Sequence, residues 1–207
     1  MISADNIFTK NKLSSLICET NQLKILYMDT STDNVTLYAW AITDILKNYE
    51  DKKQDYKELF EMSKGLDLSK PNNKVPIQVY VDMCDWIERK LGKFNLIKIG
   101  RNIGESTYVM MLENKMIVSD CTPLDLMKAL ILTAQKGVQD PKKRGWEIIS
   151  STDKSIIMRK TQIFNTQIQL GLLDALVRKS KVFGVQVNLA KERGKGSEFD
   201  EYLITWL

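Results

Sequence analysis

The chemistry open to this chain is bounded first by a residue it lacks. Among 207 residues there is no histidine. That removes serine and cysteine triads of the usual kind, zinc sites that need imidazole, and any haem held by a proximal histidine. The three cysteines, Cys18, Cys84 and Cys121, lie far apart, with no C-x-x-C pair to organise a metal and no pattern that reads as a disulfide framework. The carboxylate pairs Asp82/Asp85 and Asp200/Glu201 have the one-turn or adjacent spacing of solvated polar faces. Glycosidase-type chemistry would need two carboxylates facing each other across a cleft. "GRNIGES", from Gly100 to Ser106, is neither a phosphate loop nor a dinucleotide fingerprint. No catalytic residue, metal site or cofactor is predicted, and the chain is expected not to be an enzyme.

Composition narrows the remaining classes. The net charge is +4 and 43% of residues are hydrophobic. Acids are interspersed with bases throughout, and no basic block carries interleaved aromatics, so nucleic acid is not an expected partner. Lys142-Lys143-Arg144 reads as a solvated turn. No apolar run has the length of a membrane span, and "MISADNIFTKNK" lacks the apolar core of a signal peptide. With unpaired cysteines, these features predict a cytoplasmic protein.

The elements that must position any site follow from hydrophobic periodicity. "LKILYMD", Leu23 to Asp29, has the length of a short strand. Thr32 or Asp33 can cap a helix carrying Val35, Tyr38, Ile42, Ile45, Leu46 and Tyr49, and a second helix runs from Tyr56 to Ser63. "DLSKPNNKVP", Asp67 to Pro76, is the predicted boundary between an N-terminal, mainly helical extension (1–72) and a domain over 73–207. Pro76 suits the first turn of the next helix. After Gly92 a helix with two apolar stripes carries Gly100 and Gly104 four apart, a spacing that allows another backbone or a ligand close approach. "TPLD" then marks a capping box at Thr122 and Asp125.

Beyond it the period becomes two. "GWEIISSTDKSIIMRKT" predicts two strands around Ser151-Thr152-Asp153. "FNTQIQLGLLDALVRKSK" is a helix apolar around most of its circumference, so it must be covered on several sides. Two further strands contain Val185, Val187 and Leu189, then Tyr202, Ile204 and Trp206. The predicted fold class is α+β: a twisted four-stranded antiparallel sheet with helices on one face, plus the N-terminal helical extension.

Four segments between Val75 and Leu207 resemble the 4-vinyl-reductase-type ligand-binding domain, which shares its fold with core subunits of the TRAPP vesicle-tethering complex. They are "IGRNIGESTYVMM", "RGWEI", "NTQIQLGLLDALVRKS" and "GKGSEFDEYLITW". Where many members carry G-x-x-x-C-x-F, this chain keeps Gly196 but has Asp200 and Tyr202 at the last two positions. The resemblance implies an apolar pocket between helices and sheet, which holds a fatty-acyl chain in TRAPP-like members and small hydrophobic molecules in bacterial signalling members. It places Cys121 near the acyl-carrying cysteine of TRAPP-like proteins, although that cysteine would fall several residues earlier.

The leading expectation is a non-enzymatic binding or sensory module holding a small lipid- or hydrocarbon-type ligand in bacterial signalling. Its lining would be Cys84, Ile103, Tyr108, Met111, Leu130, Leu170 and Leu173, with Cys121 as an acylation candidate and a homodimer or signalling protein as partner. The alternative is a structural adaptor whose pocket its own side chains fill and which dimerises through its helices.

Overall fold

The computed structural model describes residues 29–207. The expected strand from Leu23 falls almost entirely outside them. Val35, Leu37 and Ala39 are buried alternately with exposed or half-buried neighbours, so the chain enters as strand β1 (Thr36–Tyr38) and not as the first turns of a helix. The helix begins only at Trp40, as α1 (Trp40–Lys47), without the expected Thr32 or Asp33 cap. A 3-10 turn (Glu50–Lys52) and a short helix α2 (Lys57–Glu61) follow.

Strand β2 (Lys74–Pro76) runs into α3 (Ile77–Leu91), with Pro76 at the N-cap. Gly92, at φ +84°, lets the chain turn directly into α4 (Lys93–Glu113). Helix α5 (Pro123–Gly137) starts in the expected capping box: the Asp125 N–H donates to Thr122 Oγ1 at 3.2 Å and the Thr122 N–H donates to the Asp125 carboxylate at 3.1 Å. Strand β3 (Val138–Gln139) closes a small antiparallel sheet in the order β2-β1-β3, joining chain segments on both sides of residues 72/73.

The second sheet is the expected four-stranded antiparallel one. It contains β4 (Trp146–Ser151), β5 (Ser155–Lys160), β6 (Gln186–Lys191) and β7 (Asp200–Thr205), in the order β4-β5-β7-β6. Ile156 and Met158 from β5 and Tyr202 and Ile204 from β7 point into the core. Helix α6 (Thr166–Arg178) packs across this sheet, its N-terminus capped by Asn165 Oδ1, which accepts from the Gln167 and Ile168 N–H groups.

Helices α4 and α6 pack along much of their length, and glycines make that approach possible. A Cβ on Gly100 would lie 2.0 Å from the Ile168 carbonyl oxygen, and one on Gly171 would lie 2.0 Å from that of Ile97. The Gly100/Gly104 spacing serves backbone contact with α6. One continuous core runs from Val35 and Leu37 through Ile99, Leu126 and Leu173 to Ile204.

Candidate ligand cavity

Where the two sheets and the helices meet, a cavity of about 70 Å³ remains. Leu37 of β1, Trp40 and Ala41 of α1, and Tyr80 of α3 form one side. Ile103 and Thr107 of α4, with Leu130, Thr133, Ala134 and Gly137 of α5, form another. Trp146, Phe164, and Ile168, Gln169 and Leu172 of α6 complete the lining. No charged side chain is among these residues. The Tyr80 and Phe164 rings meet edge-on at 5.0 Å, bracing the wall between α3 and the start of α6.

Of the seven residues expected to form a site, Ile103 and Leu130 line this cavity. Cys84, Met111 and Leu173 are packed in the core outside it, and Tyr108 and Leu170 are half-buried against that core. Sequence reasoning passed over Tyr80, Thr107, Trp146 and Gln169. Gln169 carried a legible signal: spaced three and four residues before Leu172 and Leu173, it belongs to the buried side of α6 and not to its polar stripe. The aromatics, drawn from segments far apart in the chain, carried none.

A buried polar cluster adjoins Tyr80 and Cys84. Lys160 Nζ is 2.8 Å from Asp200 Oδ2 and donates to the Phe164 carbonyl at 2.5 Å. Asp200 also accepts from the Thr166 hydroxyl at 2.6 Å and the Arg193 N–H at 2.7 Å. Asp200 and Glu201 are 1% and 5% exposed, so they are not the solvated pair that their spacing indicated. Burial works to raise the Asp200 carboxyl, but the Lys160 charge and these hydrogen bonds outweigh it and hold the group below its ordinary value. Burial lowers Lys160, with Asp200 opposing the shift. Burial also drives the Tyr80 hydroxyl and the Cys84 thiol well above their ordinary ranges, so both stay protonated.

Cys121 is buried immediately before the Thr122 cap, at the edge of an open groove with Met116, Val118 and Leu132. Burial, followed by the charges of Asp125 and Asp120, raises its thiol pKa despite the nearby helix N-terminus.

No protein-family model and no curated protein matches the chain. Solved structures do. A mutant of the Fe(II) unliganded H-NOX protein from K. algicida superposes with a TM-score of 0.62 at 11% identity, covering 83% of this chain and 97% of that one. An H-NOX protein from S. oneidensis in the Fe(II)NO ligation state gives 0.60 at 11% identity, covering 81% and 98%. An H-NOX structure studied for heme distortion gives 0.56 at 15% identity, covering 81% and 93%. The fold is that of H-NOX proteins.

This likeness overturns the resemblance to 4-vinyl-reductase-type and TRAPP-core domains. The four segments that carried the resemblance encode a helix pair packed on an antiparallel sheet, a feature too general to distinguish between families. The H-NOX match extends over 81% or more of the chain, beyond what Val75 to Leu207 alone can supply, and so takes in N-terminal elements that the resemblance left out. No described helix is long and apolar enough to cross a membrane.

Proposed function

We propose that this chain is a non-enzymatic sensory module that has the H-NOX fold and takes a small ligand directly into its interior cavity, without haem. Its structural neighbours include H-NOX proteins in unliganded Fe(II) and Fe(II)NO states and one studied for heme distortion. Haem does not fit the residues present here. There is no histidine to ligate iron. Burial raises the Tyr80 phenol, on the cavity wall, and the nearby Cys84 thiol well above their ordinary ranges, which disfavours either as an anionic iron ligand. No lysine or arginine lines the cavity to meet the carboxylates of the macrocycle.

Size is the observation that carries the reading. Sites for cofactors and drug-sized ligands typically span about 300–1,000 Å³, whereas this cavity measures about 70 Å³. The same comparison disfavours an acyl chain and leaves room for a molecule smaller than benzene, which occupies an apolar cavity of about 150 Å³ in an engineered case.

Two titrations test the proposal. Haem added to the purified protein should give no saturable, stoichiometric visible spectrum, and xenon should produce saturable NMR shifts at methyl groups of Ile103, Leu130 and Leu172. Tight one-to-one haem binding would refute the haem-free reading. Absence of any xenon response would favour a closed interior and the adaptor alternative.

A further inference from the structure

The cavity is not equally enclosed on all sides. Most of its lining is buried, and Leu37, Tyr80, Ile103, Leu130 and Ile168 are each no more than 6% exposed. Two parts of it are only half-buried. One is Phe164. The other is a rim made by Trp40 at the start of α1, by Thr133, Ala134 and Gly137 in the last turn of α5, and by Val138 just beyond. The Phe164 end is pinned: its ring meets the buried Tyr80 ring edge-on at 5.0 Å, and its carbonyl accepts from Lys160 Nζ at 2.5 Å. The rim is built differently. The Trp40 main chain is anchored, its N–H donating to the Pro71 carbonyl at 3.1 Å and its carbonyl accepting from the Thr43 hydroxyl at 2.9 Å. The edge of its indole lies against Gly137, where a Cβ would meet the Trp40 Cζ2 atom at 3.6 Å. Across the rim the indole therefore faces a residue without a side chain, and a change of its own rotamer opens the gap without moving the backbone.

We infer that the gap between the Trp40 indole and the last turn of α5 is the entrance to the cavity, and that Trp40 is the gate that decides what enters. The inference rests on the ligand-binding reading above and specifies how that site is reached and by what. The ligand class is a neutral molecule of a few heavy atoms taken directly from water. A water position needs about 10–15 Å³ of such space, so about 70 Å³ accommodates on the order of five water-sized groups. An ion would lose its hydration without meeting an opposite charge on the wall. Swinging the indole away from α5 breaks apolar contacts only. Passage at Phe164 would instead part an aromatic pair and a hydrogen bond from a buried lysine. Glycine at 137 keeps the entrance passable, because a larger side chain would extend from a Cβ already in contact with the ring.

Xenon is the probe, with entry and exit rates read by saturation-transfer NMR of the gas and occupancy by the methyl shifts of Ile103, Leu130 and Leu172. Trp40→Ala should speed entry and exit together, each by about tenfold or more, as expected when a barrier to passage falls. Gly137→Leu should slow both, while prolonged exposure to xenon still shifts the same methyl groups. The opposite signs are the decisive readout, because a general loosening of the fold would speed exchange in both variants. Gly137→Leu decides alone if Trp40→Ala fails to fold. Exchange at the wild-type rate in either folded variant, or acceleration in both, would overturn this inference and leave the ligand-binding reading standing. Absence of any xenon response in folded wild type would overturn both.

Discussion

A lysine and an aspartate buried together are costly to separate, because each leaves the other charged and without its partner. Asp200 and Lys160 are in that position, with Thr166 and the Arg193 N–H completing the aspartate's hydrogen bonds. Asp200→Asn or Lys160→Met should therefore lower stability by about 3–5 kcal/mol in urea melts. A loss below about 1 kcal/mol would mean that water reaches the pair. Proton linkage adds a second readout. The folded Asp200 carboxyl lies below its ordinary value of 3.8, so the folded state binds its proton less readily than the unfolded chain. Its contribution is fully present above that ordinary value and is lost as pH falls through the lower, folded-state value. Stability measured from pH 5 to pH 2 should fall more steeply in wild type than in Asp200→Asn; parallel curves would exclude the linkage. Nothing in the sequence marked this pair, since Asp200 beside Glu201 reads as a polar surface until the strand register turns alternate residues inward.

Between elements, the glycines at the α4–α6 crossing make opposite predictions from those of helix propensity. Alanine is better than glycine by about 1 kcal/mol in a helix interior, yet Gly100→Ala places a Cβ 2.0 Å from the Ile168 carbonyl oxygen. Overpacking of that kind typically costs about 1–3 kcal/mol, occasionally more, so thermal melts should show a net loss for Gly100→Ala. Gly137→Ala is the control, because its Cβ would meet only Trp40 at an ordinary 3.6 Å; it should be neutral or mildly stabilising. Equal gains in the two variants would mean that the helices are not in backbone contact. The glycine spacing was legible in the sequence, as were the Thr122 capping box and the two hairpin strands around Thr152, because each depends on neighbours only a few residues apart. Strand β1 was misread for the same local reason. Val35, Tyr38, Ile42 and Ile45 fit a helical period, but Leu37 is held in a strand by pairing with Val75 and Val138, partners that no local pattern reveals, and burial falls on Val35, Leu37 and Ala39 at every second residue.

That pairing decides how the molecule should unfold. Leu37 faces Val75 in one ladder and Val138 in the other, and the Ala39 N–H donates to the Asn73 carbonyl at 2.8 Å. The first helices are thereby bound to α3 and α5 by main-chain hydrogen bonds as well as by apolar contact. The core is continuous across these elements, and Leu37, Ile42 and Ile45 are each no more than 1% exposed within it. An independently folding extension would instead show few contacts across its linker. Residues 29–207 should therefore unfold in one cooperative step, with tryptophan fluorescence and far-ultraviolet circular dichroism giving the same urea midpoint. Leu37→Ala removes a buried side chain at the junction and should cost about 2–5 kcal/mol, moving both midpoints together. If the variant shifts only one probe, or if a second transition appears, α1 and α2 fold apart from the four-stranded sheet. The cavity would then lie at a hinge, because Trp40 and Trp146, which both line it, would belong to separately folding parts.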